Sequence, residues 1–199
     1  MLNDEYMKQF GLSYGGLTKY LQEKYGKPNG PYFLTESCAT QNASIKRVSD
    51  GLYIHHIAEY HDDYDMIDNL SKKDKAKKFP FLFQMPDWLC YCNYLEHVIL
   101  HYHIYNLRSL SMGSTIDDGL VHFLLPELKE WYRTRGSIVR GTWRESAYNA
   151  VRDEEATFQY IYRRFYSEHP HAPKYSYNEY LNAQKNHKLQ RPNPFDTVG

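Results

Sequence analysis

LCYCNYLEHVILHYHIYNLR, residues 89–108, decides how the rest of the chain is read. Its first four residues alternate as a short strand, which would turn Cys90 and Cys92 to one side as small buried hydrophobes. Asn93 is a good N-cap, and Glu96 stands three residues later, the capping-box spacing, so a helix is predicted over about 93–108. His97 and His101 are four apart on that helix, which returns them to nearly the same face, where both imidazoles can meet one ion. His103 falls off that face. Glu96 precedes His97, so the HExxH order of the metalloproteases is missing and the glutamate serves as a cap.

Upstream, a second pair, His55-His56, sits in the apolar segment GLYIHHI. Residues 43–57 are predicted to form a β-hairpin, with Ile45 and Val48 flanking Lys46 and Arg47, a turn at Asp50-Gly51, and strand formers from Leu52 to Ile57. The four histidines are read as one site. Neutral imidazoles can hold a divalent ion and leave positions open for oxygen ligands. A histidine outside the ligand set titrates near neutrality and can take a proton from water. Residues 58–70 are acidic, with His61 beside Asp62-Asp63 as a candidate supporting residue. Residues 71–78, SKKDKAKK, are basic and predict a short helix capped by Ser71 and stopped by Pro80. Lys72 and Lys73 there are candidate phosphate contacts, as are Lys46 and Arg47; a solvated face is the plainer reading of the run.

Farther out, residues 1–26 are predicted helical, with a stripe of Leu17, Tyr20, Leu21 and Tyr25, a break at Gly15-Gly16, and an end at Gly26 and Pro28. Helices are also predicted over about 116–134 and 142–166. Between them, WYRTRGSIVRGTWR interleaves Arg133, Arg135, Arg140 and Arg144 with Trp131, Tyr132 and Trp143. That pattern fits a grip on a nucleic-acid backbone, through Arg140 and Arg144 above all, and fits two helix ends with their linker equally well. His122, His169, His171 and His187 have no constellation around them. Residues 167–199 hold four of the nine prolines and read as an extended, partly disordered arm.

The whole chain has 199 residues, 24 basic and 24 acidic, so zero net charge gives no global argument for nucleic acid or membrane, and any such face must be local. Its 20 tyrosines fit cores, interfaces or base stacking alike. Three cysteines form no disulfide framework and suit a reducing cytoplasm. The N-terminus lacks a basic start followed by an apolar run, and no stretch approaches the roughly 20 apolar residues of a bilayer span, so a soluble cytoplasmic protein is expected.

A strand ending in His-His, a connection, a short strand, and a helix carrying His-x-x-x-His together resemble the HNH, or ββα-metal, endonucleases, in the variant found in colicin-type DNases. The resemblance covers residues 43–108. It implies that His55, His97 and His101 hold one divalent ion (Zn, Ni, Mn or Mg), and that His56 is the general base. The implied substrate is DNA, cut to 5′-phosphate and 3′-hydroxyl ends. The wording DGLYIHHIAE followed by LCYCNYLEHVILH also resembles an HNH-signature group of Gram-positive bacteria, their phages and mobile elements. The connection from 57 to 96 runs 40 residues, so residues 59–86 are taken as an insertion, with Asn69 as the candidate for the family's loop-pinning asparagine. The expected fold is α+β, a small ββα-metal hairpin-helix core embedded in a mainly helical domain. Residues 1–42 form an N-terminal helical segment, 43–108 the core, 109–166 a helical extension and 167–199 the arm. Two other functions fit: a non-catalytic, metal-stabilised module binding nucleic acid or protein, and a toxin-type effector nuclease.

Overall fold

The computed structural model describes residues 1–60, 76–112 and 119–182. The chain mixes helix and strand. In order come α1 (Asp4–Phe10), α2 (Tyr14–Tyr25), 3-10 turns at Ala43–Ile45 and Val48–Asp50, β1 (Tyr53–His56) and a 3-10 turn at Ile57–Tyr60. Two more such turns, Phe81–Gln84 and Pro86–Trp88, lead into β2 (Leu89–Cys92) and α3 (Tyr94–Met112). A π-helical turn (Gly119–Leu124), α4 (Leu125–Arg133), a 3-10 turn (Ser137–Val139), α5 (Glu145–Asn149) and α6 (Glu155–Glu168) follow.

β1 and β2 pair antiparallel, with His55 opposite Cys90 and His56 opposite Leu89. Alternation gives this ribbon two faces. Tyr53, His55, Cys90 and Cys92 share the face toward α3, where both thiols are buried in the main core with Leu95, Val98 and Ile99. Ile54, His56, Leu89 and Tyr91 share the other face, where Leu89 and Ile54 pack with Tyr32, Phe33 and Ile45. Burial pushes both cysteine thiols up, so they behave as the inert hydrophobes expected of them.

The start of α3 is fixed by the capping box that the sequence spells. Asn93 Oδ1 accepts the Glu96 amide at 3.0 Å, and Glu96 Oε2 accepts the Asn93 amide at 2.8 Å. From there α3 runs through the middle of the core. Leu95, Val98, Ile99 and Leu100 are fully buried, with Leu17 and Leu21 of α2, Leu128 and Trp131 of α4, and Phe158 and Ile161 of α6 in the same cluster. Each such side chain contributes roughly 2 kcal/mol by leaving water, so the helix that carries two of the histidines is firmly held.

Several expectations are corrected. Residues 43–50 are not a strand: Asn42 caps the first of two 3-10 turns, and β1 finds its partner in β2 instead. Asp50-Gly51 does turn the chain, with Gly51 at φ 74° packed against the backbone of Ser146. The break in the N-terminal segment lies at Gly11–Ser13, because the Ser13 side chain caps α2 and draws Gly15 and Gly16 into its first turn. The helix predicted over 142–166 is two, interrupted at residues 150–154, where Tyr132 donates its hydroxyl to the Val151 carbonyl. Beyond 167, residues 177–182 are helical and Tyr180 is buried, so this part of the predicted arm packs on the body.

Gly136 has φ 73°, and a Cβ there would stand 2.2 Å from the Tyr148 ring. Left-handed backbone and overpacking act together, so Gly136→Ala is expected to lower the unfolding free energy by about 2–3 kcal/mol. Urea denaturation measures it; a loss below about 0.5 kcal/mol would show that Tyr148 yields freely.

Candidate metal centre

The end of β1 and the first turns of α3 bring three histidines together. His55, His97 and His101 each offer one ligand atom, and these atoms all lie within 4.8 Å of one another. Ring centroids are 5.4 Å apart for His55–His97, 5.4 Å for His55–His101 and 4.8 Å for His97–His101. His55 and His101 are buried, and His97 is half-buried. His97 and His101 share a face because four residues make just over one helical turn, and strand alternation points His55 at that face.

The tautomer of His55 follows from its neighbour. Tyr14 donates its one hydroxyl proton to the Ile57 carbonyl at 2.9 Å, and its oxygen lies 2.9 Å from His55 Nε2. With the phenol proton committed, Nε2 must donate, and the lone pair is left on Nδ1. Burial, then the charge of Glu59, push the Tyr14 phenol well above its ordinary value, so it keeps its proton. Such outer hydrogen bonds orient metal-binding imidazoles, so Tyr14→Phe is expected to weaken metal affinity about tenfold without altering the stoichiometry. Isothermal titration calorimetry with Zn2+ decides it, and unchanged affinity removes the orienting role.

Glu59 is the member that sequence reasoning missed, having been assigned to the start of an insertion. Its Oε2 lies 3.6 Å from His55 Nδ1 and 3.4 Å from His101 Nε2. Burial works to raise its carboxyl pKa, but the charge of His55, the hydrogen bond and charge of His101, and the charge of His56 hold it well below the ordinary range. The buried Arg108 guanidinium of α3 donates to the Glu59 backbone carbonyl, which ties the 3-10 turn to the helix. The local signal was a carboxylate four residues after a histidine in an apolar run; the contact with Arg108 is not local and left none. Three imidazoles suit a borderline divalent cation such as Zn2+, and the nearby Glu59 carboxylate would reduce the net charge of the loaded site.

The other predicted residues are not gathered here. His56, the expected base, lies on the opposite face of β1, buried, with its ring 4.4 Å from that of Tyr32. It pairs with Leu89 at the end of the ribbon, next to His55. Lys46 is exposed. Arg47 is held by Asp50 at 2.8 Å and by the Tyr25 carbonyl at 3.0 Å, so it ties the turn to the end of α2 while its side chain stays partly exposed. Arg144 pairs with Glu127 at 3.0 Å, and Arg140 is exposed. His103 packs beside Phe10 and Tyr102, off the triad as expected, and burial lowers its pKa. Lys72, Lys73, His61, Asn69 and His187 lie outside the described residues. No family model, no curated protein and no solved structure matches the chain.

Proposed function

We propose that His55, His97 and His101 hold one divalent ion and that the protein hydrolyses phosphodiester bonds of DNA, as an HNH-type endonuclease. The observation that carries this reading is the convergence of the three imidazoles from two segments about 40 residues apart in sequence. The order of elements supports it: an antiparallel strand pair with His-His at the end of the first strand, followed by a helix with His-x-x-x-His.

A bound Zn2+, Ni2+, Mn2+ or Mg2+ would supply electrostatic stabilisation of the phosphate and of the departing 3′ oxygen. The chain does the rest. Tyr14 and the Ile57 carbonyl fix the His55 ring. The capping box fixes the register of His97 and His101. Glu59 adds a negative charge against the imidazoles. In this reading His56 would turn from Tyr32 to take the proton of the attacking water as the P–O3′ bond breaks, and the departing oxygen would gain a proton from solvent, giving a 5′-phosphate and a 3′-hydroxyl. Among the described residues no helix is long and apolar enough to cross a membrane, and the proposed partner is DNA rather than a bilayer.

A second reading, a non-catalytic metal-stabilised module on the same scaffold, is favoured by one observation: the His56 ring is packed against Tyr32 rather than turned into the cluster. Incubation with supercoiled plasmid under Mg2+, Mn2+, Zn2+ or Ni2+ separates the two. The nuclease reading expects nicking by the native protein, and from His56→Ala intact metal binding with cutting reduced at least a hundredfold. Metal binding without cutting by the native protein assigns the module instead.

A further inference from the structure

Beyond the metal cluster, an aromatic series leads from His97 to the surface. Tyr53 lies nearly parallel to the His97 ring, 24° between planes and 6.1 Å between centroids. Trp143 follows at 5.9 Å from Tyr53 and is 55% exposed. Arg144 lies over the indole at 4.9 Å and is itself anchored by Glu127, which holds the indole in place from one side. His97 is the most open of the three ligands, so this series reaches the cluster where it meets solvent.

The loop that carries Trp143 is basic. Arg135 and Arg140 are exposed and, among the described residues, make no ion pair, unlike Arg133, bound to Glu130, and Arg144. The nearby Glu145 carboxylate accepts the Gly141 amide at 2.7 Å and so is turned onto the loop itself. An exposed indole on a loop that also carries the exposed Arg135 and Arg140 has the two features that hold a nucleic-acid strand without reading its sequence: a face for a base and cations for phosphate. Bases inside a duplex are already stacked on both faces, so the indole can accept only an unpaired or terminal one.

We propose that Trp143 is a stacking platform for an unpaired base of single-stranded nucleic acid, placed so that the strand's backbone continues toward His97. This rests on the nucleic-acid part of the function proposed above and narrows it to strands that are single, frayed or branched. The ring-to-ring steps from His97 put the indole a few nucleotides from the cluster, counting roughly 3.4 Å per stacked nucleotide. It is therefore a positioning residue and not a catalytic one.

The test is fluorescence anisotropy with a labelled single-stranded oligonucleotide in EDTA, where cutting cannot occur. The native protein is compared with Trp143→Ala and Trp143→Phe, each checked for an unchanged melting temperature. Expected are about a tenfold weaker affinity for Trp143→Ala, partial recovery with Trp143→Phe, and weaker binding of the matching blunt duplex by the native protein. Scanning an abasic nucleotide through the oligonucleotide should find a position where the missing base weakens the native protein but not Trp143→Ala. Equal affinity of the native protein and Trp143→Ala, or no binding of single strands, overturns the platform. Failure here with plasmid nicking intact leaves the nuclease proposal standing. Trp143-dependent binding by a protein that takes up no metal overturns the nuclease proposal alone.

Discussion

Replacing His101 with alanine is expected to weaken binding of Zn2+ or Ni2+ by a hundredfold or more, and to abolish any metal-dependent cutting. His101 is only 9% exposed and is fixed in the middle of α3, so its loss removes a nitrogen already held in place beside the other two imidazoles. The loss is larger than that expected of Tyr14→Phe because a ligand is removed rather than misaligned. His103→Ala is the matched control: two residues along the same helix and off the cluster, it should leave affinity unchanged. Acid should act in the same direction as the substitution. Each imidazole must be neutral to bind, so affinity should fall as the pH falls, and by more than one decade per pH unit where several ligands take up protons together. The absorption spectrum of the Co2+ form adds an independent reading of coordination, which should change in His101→Ala and persist in His103→Ala. If His101→Ala takes up metal as tightly as the native chain, the cluster is no metal site and the functional proposal built on it falls.

The sequence was most informative where the physics is local. The Asn93–Glu96 cap and the His97–His101 face follow from spacings of three and four on one helix, and both are present. The pairing of β1 with β2 was harder, because Asp50-Gly51 offered a nearer partner; the choice is made by Leu89, Ile54, Ile45 and Tyr32 packing together under the far face of the ribbon. The two glycines of α2 misled for a related reason: a cap at Ser13 outweighs the propensity of Gly15 and Gly16. Tyr14 was out of reach altogether, because it meets His55 and Ile57 from a distant segment. Glu59 left its four-residue spacing from His55 as a local signal, but its tie to Arg108 crosses the chain and no local pattern encodes it. The arginines of 133–144 were legible as a group but not individually, since Glu127 and Glu130 decide which of them carry an ion-pair partner.

Glu96→Ala is expected to remove about 3–4 kcal/mol of stability, the largest loss among the substitutions considered. The Glu96 side chain is fully buried, and its oxygens accept from the Asn93 amide at 2.8 Å, Lys24 Nζ at 2.8 Å, Gln9 Nε2 at 3.1 Å and the Tyr25 hydroxyl at 3.2 Å. Lys24 keeps 27% of its side chain exposed, so solvent screens part of the ion pair and that contact alone is modest. The larger share comes from the lost cap, about 1 kcal/mol, and from the buried Asn93 amide and the donors of Gln9 and Tyr25, which lose the acceptor they share. Glu96→Gln keeps an acceptor and the shape but turns an amide toward donors, and should lie between, at about 1–2 kcal/mol. Because the same carboxylate sets where α3 begins, the loss should also reach the metal: His97 stands one residue after Glu96, and fraying of the first turn spreads the ligands. Urea denaturation with and without Zn2+ tests both parts. Zn2+ should stabilise the native chain by more than it stabilises Glu96→Ala, since the variant must reorder its first turn to bind. A stability loss under about 1 kcal/mol, or equal stabilisation of both proteins by the ion, would separate the cap from the histidines and show that the core around Leu95, Val98 and Ile99 alone holds the helix in register.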